Sequence, residues 1–188
     1  LMHPTCKAIL DAGTRNYGSV NDLELLEKFY TTTINTMSRM NVPEKVLECG
    51  TEPIGMRGLF PILERIQFAG MEFEVWESLG GHIAGQLLLF EPNLGLLFTS
   101  DAFINFATLS KERADYCSIA DSMIGSVNVD SEIARTERKE LTRLAVELDA
   151  ELKKNGKKLL ICCGHGAVSE IDADGKLVPA SELIHYAA

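Results

Sequence analysis

The chain has 188 residues, of which 46% are hydrophobic and 24% are charged, and its formal net charge is −9. This composition predicts a globular fold with its own core and argues against a disordered segment. No apolar run approaches the roughly 20 residues that a membrane helix requires, and clustered basic residues are too few for a nucleic-acid surface.

The cysteines favour a reducing environment. There are five of them, two are adjacent, and their spacing is not that of a disulfide framework. With no secretory signal peptide visible, the sequence predicts a cytoplasmic protein. A redox role for the Cys162-Cys163 pair is disfavoured, because adjacent cysteines form a strained disulfide ring.

The first forty residues predict a strand and a helix. A short apolar patch before Asp11-Ala12-Gly13 predicts a strand that ends near Leu10. Apolar residues then recur at helical spacing, which predicts a helix over residues 20–40. His3 and Cys6 have a ligand-like spacing, but a structural zinc site needs four ligands and no second pair follows, so a metal role is disfavoured.

Residues 44–70 are punctuated by glycine and proline, which predicts a connecting loop. Leu59 and Phe60 are expected to tuck into the core from this loop. Arg57 is the one residue here that could meet an anionic substrate.

The central stretch predicts three strands. Residues 71–77 alternate between apolar residues and glutamates, which predicts a half-buried strand with its acidic side chains in solvent and Trp76 under a helix. Two apolar runs separated by Pro92-Asn93-Leu94-Gly95 then predict a β-hairpin. His82 precedes this hairpin and Asp101 follows it, so both should lie at the same edge of the sheet.

The last third predicts the longest helix and a further strand. Residues 106–128 predict a loop and a helix over the mouth of a site, and residues 130–154 predict a helix capped by Asp130 or Ser131. The apolar face of that helix is predicted to comprise Ile133, Leu141, Leu144, Ala145, Leu148 and Leu152. A strand over Leu159–Cys162 leads to His165, and Asp172–Gly175 predicts a hairpin turn.

Three motifs in this order resemble the metallo-β-lactamase-fold hydrolases: Gly81-His82-x-x-Gly85, a strand ending in Ser100-Asp101, and a strand followed by Gly164-His165. The resemblance covers roughly residues 71–168. It implies an α/β fold, a partial αββα sandwich with a mixed sheet flanked by helices.

The resemblance also implies a metal site. His82 would be the third histidine on one metal, Asp101 would bridge both metals at the catalytic centre, and His165 would bind the second. The implied cofactor is zinc, two ions per complete site, or iron, because Ser100-Asp101-Ala102-Phe103 is also similar to the diiron flavodiiron branch. The implied activity is hydrolysis of an ester, thioester, lactone or phosphodiester of a small molecule.

The family's His-x-His-x-Asp-His motif is missing from this sequence, which contains four histidines in all. We therefore expect residues 1–188 to be a single domain of this type that lacks its N-terminal strands. Two protein ligands per ion fall short of the three usual in catalytic zinc sites. The chain alone is expected to bind metal weakly or not at all, and to be incomplete or inactive as an enzyme.

Two other interpretations remain open. The chain could be a non-catalytic oligomeric module that kept the fold and lost the metal site, or a flavodiiron-like oxidoreductase. In the plainest interpretation, the two histidines are ordinary core side chains and Asp101 caps a helix. An apolar face left by missing strands would also favour a homo-oligomer.

Overall fold

A computed structural model describes residues 1–11, 45–105, 110–112, 128 and 130–180. The described helices are α1 (Pro4–Asp11) and α2 (Ser131–Lys153). The described strands are β1 (Gly55–Arg57), β2 (Phe60–Phe68), β3 (Met71–Glu77), β4 (Leu87–Glu91), β5 (Leu96–Ser100), β6 (Leu160–Cys163), β7 (Ser169–Ile171) and β8 (Leu177–Pro179). The helix predicted over residues 20–40 and most of the segment predicted over residues 106–128 lie outside the described residues.

The strands form one eight-stranded sheet whose spatial order follows the order of the chain. Neighbouring strands are antiparallel except β5 and β6, which are parallel and are connected through α2. A parallel pair needs such a long crossover, whereas antiparallel neighbours can be joined directly by a turn or loop. The α/β class and the mixed sheet predicted from the sequence are therefore confirmed.

The main core lies between α2 and the sheet. Trp76 is fully buried, with its ring centroid 6.2 Å from that of Phe60 and 5.4 Å from that of Phe90. The same cluster contains Leu141, Leu144 and other apolar residues of α2, which confirms that Trp76 packs beneath a helix.

The predicted boundaries of α2 are confirmed. Asp130 is the N-cap, and its carboxylate accepts hydrogen bonds from the backbone N–H groups of Glu132 and Ile133. Such a cap satisfies donors that the first helical turn leaves without partners. Beyond the helix, Gly156 adopts a left-handed φ of 68°, a conformation that glycine adopts at low cost after a helix end. The predicted apolar face is correct except at Ile133, which is 40% exposed.

The predicted hairpin and the strand over residues 71–77 are confirmed as well. In the hairpin, Leu89 pairs with Phe98 and Glu91 with Leu96 across β4 and β5. The turn predicted at Asp172–Gly175 connects β7 to β8, and the strand predicted over Leu159–Cys162 is displaced by one residue.

Two predictions in the N-terminal part are wrong. The strand expected to end near Leu10 is the helix α1, which begins at Pro4. Proline is well suited to the first helical position, and His3 Nδ1 accepts a hydrogen bond from the backbone N–H of Thr5 at 3.1 Å, as a cap does. The loop expected over residues 44–70 contains all of β1 and β2, because Gly58, at a φ of 57°, makes a tight turn between the two strands.

The prediction that the glutamates of residues 71–77 face solvent is wrong for Glu74. This side chain is buried and accepts hydrogen bonds from Arg57 at 3.0 Å, Arg65 at 3.2 Å and the Trp76 indole at 3.1 Å. Arg57, considered for an anionic substrate, is therefore already paired with a carboxylate. Burial alone would raise the pKa of Glu74, but these donors outweigh it and the pKa is lowered.

Within the described part of the chain, no helix has both the length and the apolar character needed to cross a membrane.

Candidate metal centre

The three predicted site residues lie together at one edge of the sheet. His82 Nε2 is 3.5 Å from Asp101 Oδ2, and His165 Nε2 is 3.6 Å from Asp101 Oδ1. His82 and Asp101 therefore lie close together at the strand ends, as the sequence predicts. Each carboxylate oxygen faces a different histidine, so Asp101 lies between the two rings.

Asn128 fixes the orientation of the His82 ring. Its side-chain Oδ1 lies 3.2 Å from His82 Nδ1, and Asn128 is buried. Because an amide oxygen is an acceptor, we assign the ring proton of a neutral His82 to Nδ1. The lone pair on Nε2 then points at the carboxylate of Asp101.

This arrangement places electron-rich atoms opposite each other. A neutral imidazole nitrogen without its proton and a carboxylate oxygen are both acceptors, so their approach is unfavourable unless a positive charge accompanies them. A hydrogen bond from the other ring nitrogen to a polar partner is also the usual support of a metal-binding histidine.

Asp101 is positioned by an unusual backbone. Ser100, which precedes it, has a left-handed φ of 48° although it is not glycine. The pairing between β5 and β6 is irregular at the same point, between Phe98 and Ser100. Sparsely populated backbone conformations of this kind cluster at functional sites.

The loop that carries His165 is held against the segment that carries Asp101. The Gly164 N–H donates to the Ser100 carbonyl at 2.8 Å, and the Ala167 N–H donates to the Asn105 carbonyl at 3.0 Å. A Cβ atom on Gly164 would overlap Asp101 Oδ1, so only glycine leaves room for this carboxylate position. His165 itself is 73% exposed at its side chain, which leaves this side of the cluster open to solvent.

The loop that carries His82 is held from one side by α2. Glu137 is fully buried, and its Oε1 accepts hydrogen bonds from the Ser78 hydroxyl at 2.5 Å and the Leu79 N–H at 3.0 Å. Gly81 packs so tightly on the start of α2 that a Cβ there would overlap the backbone of Ala134. Burial raises the pKa of Glu137, although the hydrogen bonds from Ser78 and the loop act in the opposite direction.

The other side of this loop contacts α1. The Cys6 thiol donates to the Gly85 carbonyl at 3.2 Å, and His3 Nε2 lies 3.3 Å from Glu77 Oε1. Burial raises the pKa of the Cys6 thiol, which disfavours the thiolate that a metal requires. His3 and Cys6 therefore have structural partners.

The ligands do not surround a common point. Among the described residues, no set of three or more His, Cys, Asp or Glu side chains is placed to hold one metal ion. The contacts at the candidate metal centre are pairwise instead, with one histidine on each oxygen of Asp101. Imidazole nitrogens and carboxylate oxygens are donor types that zinc and iron accept.

The cysteines beside this centre are thiols. In the described ranges Cys6, Cys49, Cys162 and Cys163 are all free, and Cys163 donates to the Ala167 carbonyl at 3.1 Å. Burial raises the pKa values of Cys162 and Cys163. A raised pKa disfavours the thiolate that redox or nucleophilic chemistry needs.

Sequence reasoning missed Asn128 and Glu137. Asn128 gives no signal in the sequence, because its partner His82 is 46 residues away. Glu137 does give one, since it falls on the apolar face of α2 between the buried residues Ala134 and Leu141. A charged residue within an apolar stripe is a candidate for a buried, hydrogen-bonded role.

Comparisons of the chain with models of known protein families, with curated proteins and with solved structures found no match.

Proposed function

We propose that His82, Asp101 and His165 belong to the metal site of a hydrolase of the metallo-β-lactamase type. The observation that carries the proposal is the placement of Asp101 between two histidines, with His82 Nε2 and His165 Nε2 facing opposite carboxylate oxygens at 3.5 and 3.6 Å. The hydrogen bond from His82 Nδ1 to Asn128 leaves Nε2 available as a ligand. The finer fold assignment, the αββα sandwich, is part of the same proposal.

In this proposal Asp101 would bridge two zinc or iron ions, with His82 on one and His165 on the other. Two such ions would supply a water that ionises near neutral pH and would polarise the ester, thioester, lactone or phosphodiester bond under attack. The chain's own residues orient the site: Asn128 holds the His82 ring, and the Gly164 loop holds the Asp101 carboxylate. The exposed His165 side gives a small-molecule substrate access to the centre.

Weak binding is part of the proposal. Catalytic zinc usually has three protein ligands, and the three residues here provide two to each ion through a shared carboxylate. We expect the purified chain to carry well under one metal ion and to show no hydrolase activity as isolated. A homo-oligomer is also proposed; it is supported by exposed Met56 in β1, an edge strand of the sheet, and by exposed Ile54 directly before that strand.

Zinc titration followed by calorimetry tests the proposed function. Asp101→Ala should abolish the saturable binding, because it removes the ligand shared by both histidines, while His82→Ala and His165→Ala should each weaken it. Asp174→Ala, at an exposed turn away from the site, is the matched control and should bind as the wild type does. Equal binding by the Asp101→Ala and Asp174→Ala chains would contradict the proposal.

A second candidate is a non-catalytic module that kept the fold and lost the site. It is favoured by the lack of any three-ligand set in the described part of the chain. In that case the wild-type chain binds no zinc even at millimolar concentration. The same titration separates the two candidates.

A further inference from the structure

We propose that Glu137 is a positioning residue for His82. Its buried carboxyl group accepts hydrogen bonds from the turn at Ser78–Gly81 and thereby fixes the position of the histidine that follows. This role rests on the proposed function, because it assigns Glu137 to the same site. Glu137 touches neither Asp101 nor His165 through any described hydrogen bond, so it would act through the loop.

One oxygen of Glu137 collects the donors of the turn. Oε1 accepts from the Ser78 hydroxyl at 2.5 Å and from the Leu79 N–H at 3.0 Å. The Ser78 hydroxyl accepts in turn from the Gly80 N–H at 3.1 Å. The polar groups of this turn therefore converge on a single side chain of α2, directly before His82.

The placement is costly for the fold, which argues for a specific purpose. Glu137 is 0% exposed, and within the described residues its Oε2 has no hydrogen-bond partner. A leucine at this position would continue the apolar stripe of α2 without an orphaned oxygen. A carboxyl group gives what leucine lacks, namely an acceptor rigidly mounted on a helix beneath the site loop.

The same helix provides a matched control. Asp149 is 2% exposed, its Oδ1 accepts from the Leu159 N–H at 3.0 Å, and its Oδ2 lies 2.6 Å from Lys153 Nζ. Like Glu137 it is a buried acid of α2 that accepts a hydrogen bond from a backbone N–H outside the helix. It holds the start of β6, however, and not the loop that carries His82.

The test compares Glu137→Leu, Glu137→Gln and Asp149→Leu in the full chain. Long-range ¹H–¹⁵N spectra of the metal-free proteins report whether His82 keeps one fixed ring tautomer, and zinc titration reports affinity. Glu137→Leu should mix the His82 tautomers and raise the zinc dissociation constant about 10- to 100-fold, as loss of outer-shell support does. Glu137→Gln keeps an acceptor oxygen and should rescue both readouts.

Asp149→Leu should lower thermal stability but leave the His82 spectrum unchanged. The proposal is overturned if Glu137→Leu leaves His82 as in the wild type, or if Asp149→Leu disturbs His82 equally. Should Glu137→Leu fail to fold, Ser78→Ala removes one donor while keeping the acid, and an unaltered His82 spectrum in that variant overturns the proposal.

Failure of the proposed metal site and failure of the positioning role of Glu137 give different results. If zinc does not change the wild-type His82 resonances, the proposed function fails, and the tautomer comparison in metal-free protein still decides whether Glu137 positions the ring.

Discussion

Single atoms decide the geometry of the candidate metal centre. Asp101 can place one oxygen before each histidine because Gly164 has no side chain at the point where the carboxylate lies. Asn128 and Glu137 then fix His82 from two directions. His82, Asp101 and His165 were proposed as site residues from the resemblance of three motifs to a known family, and each lies beside an apolar run and small residues. Their supports could not be predicted, because they come from remote parts of the chain.

Replacing Gly164 by alanine should damage the centre more than the fold. The added Cβ would overlap Asp101 Oδ1 and would lie 3.0 Å from the carbonyl carbon of Ser100. Because the backbone of Ser100 leaves the Cβ no room to move away, the Asp101 carboxylate would be displaced. We expect a zinc affinity reduced by about 10-fold or more, and a stability cost within about 0.5–3 kcal/mol. Calorimetric titration and urea denaturation measure the two effects.

Gly50→Ala is the control for that substitution, because a Cβ at Gly50 meets only Leu63 O at an ordinary 3.5 Å. Zinc binding by Gly50→Ala should equal that of the wild type. Unchanged zinc binding in Gly164→Ala would show that the Asp101 position does not matter for the metal.

The second residue-scale prediction concerns acid stability. The pKa of Glu74 is lower in the folded protein than in the unfolded chain, where it is about 4.3. The Glu74 carboxylate therefore stabilises the fold above that pH, and this stabilisation is lost as the pH falls through the folded-state pKa. Glu74→Gln should lower the unfolding free energy near neutral pH by about 1–2 kcal/mol, limited by the solvent exposure of Arg57 and Arg65.

Urea denaturation at about pH 7 and about pH 3 measures this contribution. The difference between wild type and Glu74→Gln should shrink on acidification, whereas Glu72→Gln, exposed on the same strand, should differ little from wild type at either pH. A difference that stays constant between the two pH values would contradict the assigned role of the Glu74 charge.

At the scale of elements, regular patterns were predictable and exceptions were not. The strand at residues 71–77, the hairpin and α2 follow clear periodicity or turn signals, and all three are present. The loop predicted over residues 44–70 is wrong because glycine and proline were interpreted as breakers. Gly58 instead closes a turn, and Pro61 is accommodated in β2 opposite Met56 of the edge strand.

Ile133 shows how far helical periodicity can be trusted. It was predicted on the apolar face of α2, yet it is 40% exposed, while Leu148 is 3% exposed. Leu148→Ala should cost about 2–5 kcal/mol, because it leaves a cavity between α2 and the sheet. Ile133→Ala should cost less than about 1 kcal/mol, because surface positions contribute little. Chemical denaturation of both variants measures the contrast, and equal costs would contradict the described packing of α2.

At the scale of the whole molecule, α2 has two functions. Its leucines cover one face of the sheet, and its first turns hold the loop of His82 through Glu137 and the backbone beside Gly81. The parallel pairing of β5 with β6 brings Asp101 and the His165 loop to the same edge. The fold thus assembles the candidate metal centre from three separate stretches of chain.

The most direct test of the centre is a long-range ¹H–¹⁵N spectrum recorded during zinc titration. The chain has four histidines, so the ring signals can be assigned by single substitutions. We predict that the Nε2 resonances of His82 and His165 shift with zinc, that His82 Nδ1 stays protonated, and that His3, paired with Glu77, does not respond. Unmoved His82 and His165 signals at millimolar zinc would contradict the metal centre, as would a zinc response centred on His3.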